Sequence, residues 1–142
     1  MPTMTATYTW WTWFHLVRQF SPRDPRKAWI VKPPDPLIHF ALVCGSRSCA
    51  PIDYYDPTTI YDQFEAAARS FVNSSEVVVL PEEGKILLSE IFRWYESDFG
   101  GKRGVLDFLC DYLADDRALR AISNKAEAFR FEYIYYDWNL NR

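Results

Sequence analysis

The sequence is short of the residues that build most recognisable small-molecule sites, with two histidines, three cysteines, five glycines and two methionines among 142 residues. It has no phosphate-cradling loop, no dinucleotide-binding fingerprint and no paired Cys-x-x-Cys, so no cofactor is implied. Cys44, Cys49 and Cys110 are odd in number and too sparse for a disulfide scaffold, which favours an intracellular, reducing setting. A single Cys44 to Cys49 bridge stays open. The apolar run from Ala6 to Val17 is too short to span a bilayer and lacks the basic leader and small-residue cleavage site of a signal peptide. Neither a membrane span nor an export signal is expected. An excess of basic charge is also missing: 16 Lys and Arg stand against 19 Asp and Glu, a net charge of −3 that offers nucleic acid no general attraction.

What the chain does have is apolar and aromatic mass. Hydrophobic residues make up 49% and aromatic residues 18%, too apolar for disorder and enough for one core at this length. A soluble globular domain is therefore expected, with large rings filling much of its interior. Charge is unevenly spread. Through residue 50, six basic residues (Arg18, Arg23, Arg26, Lys27, Lys32, Arg47) face two acidic ones (Asp24, Asp35), a net of +4, and the remainder carries −7. Such polarity could present a basic face to an acidic ligand, although a solvated charge distribution explains it as simply.

Periodicity predicts an α+β fold: a single domain with a central buried strand, a short hairpin, an aromatic C-terminal strand and three or four packed helices. Trp10, Trp13, Phe14 and Val17 share a helical face in an N-terminal extension, residues 1–17, ahead of the domain at 18–142. That face could dock a protein partner or pack on the chain's own core. Five prolines between residues 22 and 36 mark a basic connector. The apolar run Leu37 to Cys44, bounded by Pro36 and Gly45, suits a strand buried on both faces. Asp56-Pro57 starts a helix running to about 72, with Ile60, Phe64, Ala67 and Phe71 on one side. Glu76–Leu80 and Ile86–Leu88 flank a turn at 81–85. Ser89 caps a helix placing Ile91, Trp94, Tyr95 and Phe99 on one face and ending at Gly100-Gly101. A helix from Val105 to about Leu113 follows, with Cys110 near its inward residues, and Asp115-Asp116 caps the next segment. Phe129, Phe131, Tyr133 and Tyr135 alternate with Arg130, Glu132 and Ile134 at strand period.

Four ordered motifs carry a resemblance. They are Pro33 to Ile52, with His39-Phe40-Ala41-Leu42-Val43-Cys44-Gly45-Ser46-Arg47-Ser48-Cys49-Ala50-Pro51 at its centre; Leu88 to Gly100; the Val105 to Leu113 helix; and Tyr136-Asp137-Trp138-Asn139-Leu140-Asn141. Through them the chain resembles the domain of unknown function 547 family over roughly residues 18 to 141. Ala50 stands where that family usually has proline, and the family's upstream Trp-Ile-Asn and Tyr-Asn-Ala segment is absent. The resemblance implies no assigned activity.

The candidate site is the loop Cys44-Gly45-Ser46-Arg47-Ser48-Cys49. Gly45 permits a tight reversal, Ser46 and Ser48 supply hydroxyls, and Arg47 supplies a fixed positive charge for an anion or ligand. Read as an enzyme, the chain would use Cys49 as nucleophile for acyl transfer or hydrolysis, with His39 as base; strand alternation turns His39 away from Cys44. Read as a metal site, His39, Cys44 and Cys49 would ligate zinc without an obvious fourth ligand. Read as structure alone, His39 is a core histidine and both sulfurs are packing groups. With no complete catalytic set, a binding or scaffold module is the leading reading. The acidic residues add no constellation: Asp107 and Asp111 share an exposed helix face. The run Tyr133 to Trp138 is either core or a stacking surface.

Overall fold

A computed structural model of the protein describes residues 21, 23–51, 53–125 and 128–141. Packing divides the chain into two units, Met1–Pro33 and Pro34–Arg142. In the first, Asp24 caps a short 3-10 helix, Pro25–Trp29, by accepting the Arg26 amide at 2.9 Å. The aromatic face at residues 10–17 lies outside the described residues.

The second unit is the α+β domain. Among the described residues it contains α1 (Ile60–Val72), α2 (Glu90–Trp94), α3 (Gly101–Tyr112) and α4 (Asp116–Lys125), with a three-stranded sheet of β1 (Val77–Leu80), β2 (Lys85–Ser89) and β3 (Arg130–Ile134). Strand β2 is central. It pairs antiparallel with β1, Val77 opposite Leu88, and parallel with β3, Ile86 opposite Phe131. The parallel pairing needs a long crossover, and α2, α3 and α4 occupy it. Ile86 and Leu88 point from β2 into the core, and the hairpin closes through Pro81–Glu83 and Gly84, whose φ of +60° is the left-handed turn glycine allows.

The central strand is therefore not the one the sequence pattern favours. Residues 37–44 form no strand; Pro36–Phe40 is a 3-10 helix followed by a loop. Asp35 explains the difference, because its carboxylate accepts the Leu37 amide at 3.0 Å and Pro36 takes the first helical position. A continuous apolar run has no period with which to distinguish a buried turn from a buried strand. This turn drives His39 and Phe40 inward and leaves Leu42 outside, 69% exposed. Phe40 is completely buried among Phe71, Phe92, Phe99 and Phe108, and α1 packs against the turn through Ala68, Phe71 and Val72.

Two other expectations change. The helix beginning at Glu90 stops at Trp94, and residues 95–100 fold into successive turns, with the Asp98 amide on the Tyr95 carbonyl at 2.8 Å and the Gly101 amide on Glu96 at 2.9 Å. Gly100 and Gly101, at φ of +86° and +82°, start the next helix as well as ending these turns. Ser89 occupies the capping position of α2, but its side chain makes no cap bond. At the end of the chain the alternation stops with β3: Tyr135 is 83% exposed while Tyr136 is buried. Elsewhere the pattern holds. Val105, Phe108 and Leu109 are buried on α3, Cys110 packs half-buried beside the core, and Asp115 caps α4 by accepting the Arg117 amide at 2.8 Å. No helix among the described residues is long and apolar enough to cross a membrane.

Candidate functional site

The loop from Cys44 to Cys49 is a clasp on the end of the chain. Gly45, at φ +76°, turns the backbone, and the Cys49 amide closes the reversal on the Ser46 carbonyl at 3.2 Å. Across from it runs the segment after β3. The Asn141 amide donates to Gly45 at 2.9 Å, the Arg47 amide to Asn139 at 2.9 Å, and Ser46 forms an isolated antiparallel bridge with Leu140. Ser48 Oγ accepts the Asp137 amide at 3.0 Å. Arg47 remains 60% exposed with its guanidinium 3.7 Å from Asp137, so its charge is already partly answered within the domain. Two stretches some ninety residues apart thus fix each other mainly through backbone groups.

Within this clasp the sulfur that stands out is Cys44. Its residue is exposed, whereas Cys49 is half-buried, and both thiols are unbridged. Cys44 Sγ lies 3.2 Å from Ser46 Oγ and 3.6 Å from the Tyr136 hydroxyl, and Ser46 Oγ donates to Tyr136 at 3.0 Å. Hydrogen bonding with Ser46, then with Tyr136, the Ser46 amide and the Cys49 thiol, outweighs desolvation and lowers the Cys44 thiol from 9.0 to about 6. Burial pushes the Tyr136 phenol well above its ordinary range, so at neutral pH it remains a donor. Cys49 Sγ accepts the Cys44 amide at 3.2 Å.

His39 faces other partners. Its Nε2 is 3.0 Å from the Asp98 carboxylate, and its ring stacks on Tyr95 with centroids 3.8 Å apart. Burial lowers its pKa, with the Asp98 hydrogen bond acting in opposition. Neither cysteine is a partner of His39 among the described residues. The alternation argument that paired His39 with Cys49 loses its basis once residues 37–44 turn as a 3-10 helix. Gly45, Ser46, Arg47, Ser48 and the two cysteines are brought together; His39 is held by the 95–99 turns. No group of three His, Cys, Asp or Glu side chains among the described residues is gathered to hold a metal, so the zinc set His39, Cys44 and Cys49 is not assembled.

Tyr136, Asp137 and Asp98 are contributors the residue patterns did not single out. The first two lie in the C-terminal motif, whose residues suit neither a strand nor a helix face, and that mismatch was the available signal. Asp98 carried none. Around the clasp, Trp94, Tyr136 and Trp138 form an aromatic shelf, with Trp94 and Trp138 stacked at 5.7 Å and Tyr136 tilted against Trp138 at 4.6 Å. Trp138 is 63% exposed.

A family model described as a protein of unknown function, DUF547, matches residues 6–72. The match begins within the stretch read as an N-terminal extension, takes in His39 and the whole loop, and ends at the last residue of α1. No curated protein and no solved structure matches the chain.

Proposed function

We propose, for a chain whose residues 6–72 match the DUF547 family model, the loop's two cysteines included, a thiol-dependent function exerted at Cys44. The observation that carries this reading is an exposed cysteine whose sulfur lies 3.2 Å from Ser46 Oγ and 3.6 Å from the Tyr136 hydroxyl; Ser46 donates to Tyr136, which leaves the Tyr136 proton to hold the sulfur as a thiolate. A thiolate is the nucleophilic form of cysteine, and hydrogen-bond donors supply here what a neighbouring base supplies elsewhere. The reactive sulfur is accordingly Cys44 rather than Cys49. In this reading His39, hydrogen-bonded to Asp98, is not called on as base, and Arg47 pairs with Asp137 at 3.7 Å.

The pH dependence of alkylation at each cysteine, read by peptide mapping under reducing conditions, tests the reading. Cys44 should react fastest, with a half-point near pH 6. Tyr136→Phe and Ser46→Ala should each move that half-point upward by on the order of one pH unit while the domain stays folded. A half-point for Cys44 in the ordinary thiol range of about 8 to 9 sinks the proposal.

The aromatic shelf favours a second reading, a binding module. Exposed Trp138 stacked on Trp94 beside the clasp offers a rigid contact surface of the kind that anchors polypeptide ligands. In this reading the partner surface lies at the end of the domain, and the N-terminal aromatic face is a separate proposal.

A further inference from the structure

We propose that Cys44 and Cys49 form an exchanging dithiol, in which Cys44 attacks a disulfide on a peptide or small molecule and Cys49 resolves the product. This rests on the thiol reading above and names its chemistry. Three features of the clasp support it.

First, the sulfurs share one short reversal yet differ in access, Cys44 exposed and Cys49 half-buried. That is the division of labour exchange requires: an outer thiol to meet the substrate and an inner one to displace it. Second, Cys49 Sγ rests 3.2 Å from the amide nitrogen of Cys44 itself. A sulfur in contact with the backbone of residue 44 is close to the side chain that residue 44 carries, and such closeness is the first requirement of a bridge between the two. Third, the acyl-transfer alternative has no base against its sulfur, because the contacts of His39 among the described residues are Asp98, Tyr95 and Phe99, and neither cysteine is one of them. Exchange needs no base of that kind once the attacking sulfur is a thiolate, nor does it need an enclosed pocket, since an exposed disulfide can meet an exposed sulfur.

The Cys44 thiolate forms a bond to one sulfur of the substrate disulfide, the substrate S–S bond breaks, and one substrate half leaves as a thiolate. Cys44 sulfur is now neutral, so the Tyr136 hydrogen bond that held its charge weakens and the side chain can rotate toward Cys49. Cys49 gives its proton to solvent and attacks Cys44 sulfur; the mixed disulfide breaks and the second half leaves as a thiolate. The substrate disulfide is reduced to two thiols, and the dithiol is oxidised by two electrons to a Cys44–Cys49 disulfide.

The test equilibrates the reduced full chain, in a Cys110→Ser background, with mixtures of reduced and oxidised glutathione, followed by acid quench, intact mass and peptide mapping. The wild-type pair should lose two hydrogens and yield a linked 44–49 peptide. Cys49→Ser should stop at one glutathione on Cys44, formed within about twofold of the rate of the first wild-type step. Cys44→Ser should form no linked peptide. Stable glutathionylation of Cys44 in the wild-type pair, without a bridge, overturns the dithiol even if Cys44 alkylates rapidly, in which case the thiol reading survives alone. A Cys44 that neither alkylates rapidly nor exchanges overturns both. The linked peptide in the wild-type pair is read without any variant at Cys44 or Cys49, so a folding failure in either does not remove the test.

Discussion

Replacing Phe40 by alanine should be among the most damaging single truncations in the domain. The ring is completely buried and packs against four others, Phe71 at 5.1 Å, Phe108 at 5.4 Å, Phe92 at 5.8 Å and Phe99 at 6.2 Å between centroids. A buried Phe→Ala change costs about 3 to 5 kcal/mol, and the upper end applies where the walls cannot collapse into the hole. Here the walls are rings on α1, α2, α3 and the turn before α3, each pinned by other neighbours, so about 4 to 5 kcal/mol is expected. Domains of this size are stable by only about 5 to 15 kcal/mol, so the variant should sit close to its unfolding threshold. Phe64 is the comparison. It lies on the same face pattern of α1 but is half-buried against Tyr55 and Tyr61, the latter itself 67% exposed, and its truncation should cost about 1 to 2 kcal/mol. Urea unfolding with an unchanged slope reads both changes. Equal costs for the two variants, or a Phe40→Ala cost below about 1.5 kcal/mol, would refute the placement of the 36–40 turn in the core.

Stability should also depend on pH through Cys44. Its thiol sits near 6 in the folded chain against an ordinary 9.0, so between those values the unfolded chain binds a proton the folded chain does not, and stability rises with pH; it is lost again as pH falls through about 6. Cys44→Ser should flatten that slope in a denaturation series from pH 6 to 9, while His39, lowered by burial, continues to cost stability below its ordinary 6.5. An unchanged slope in Cys44→Ser would show that the thiol is not held as a thiolate. Gly104→Ala should destabilise although alanine favours helices, because its Cβ would stand 1.6 Å from the Phe99 carbonyl oxygen. A variant as stable as the parent would mean that the 95–100 turns do not abut α3 as described.

Much of the fold was legible in local patterns. The helix through Phe71, the hairpin around Gly84, the helix carrying Val105 and Phe108, and the aromatic strand at 130–134 all follow from period, caps and turn residues, because each is set by interactions within a few positions of chain. The strand order was not legible, and neither was the identity of the central strand. Leu37 to Cys44 looked the better candidate because it is more apolar, but Asp35 and Pro36 bend it locally, and Ile86 and Leu88 take the centre because both neighbours pair with them.

The candidate site divides in the same way. By itself the sequence determined that two cysteines, two serines and an arginine gather around one glycine turn, since those side chains are adjacent in the chain. Only the tertiary structure decided which sulfur is exposed, that Tyr136 lies against it, and that His39 belongs to Asp98. The physical reason is range. A thiol's ionisation depends on donors within a few ångströms, and Tyr136 reaches Cys44 across ninety-two positions of chain, a proximity made by the pairing of the loop with the end of the chain and recorded in no local pattern.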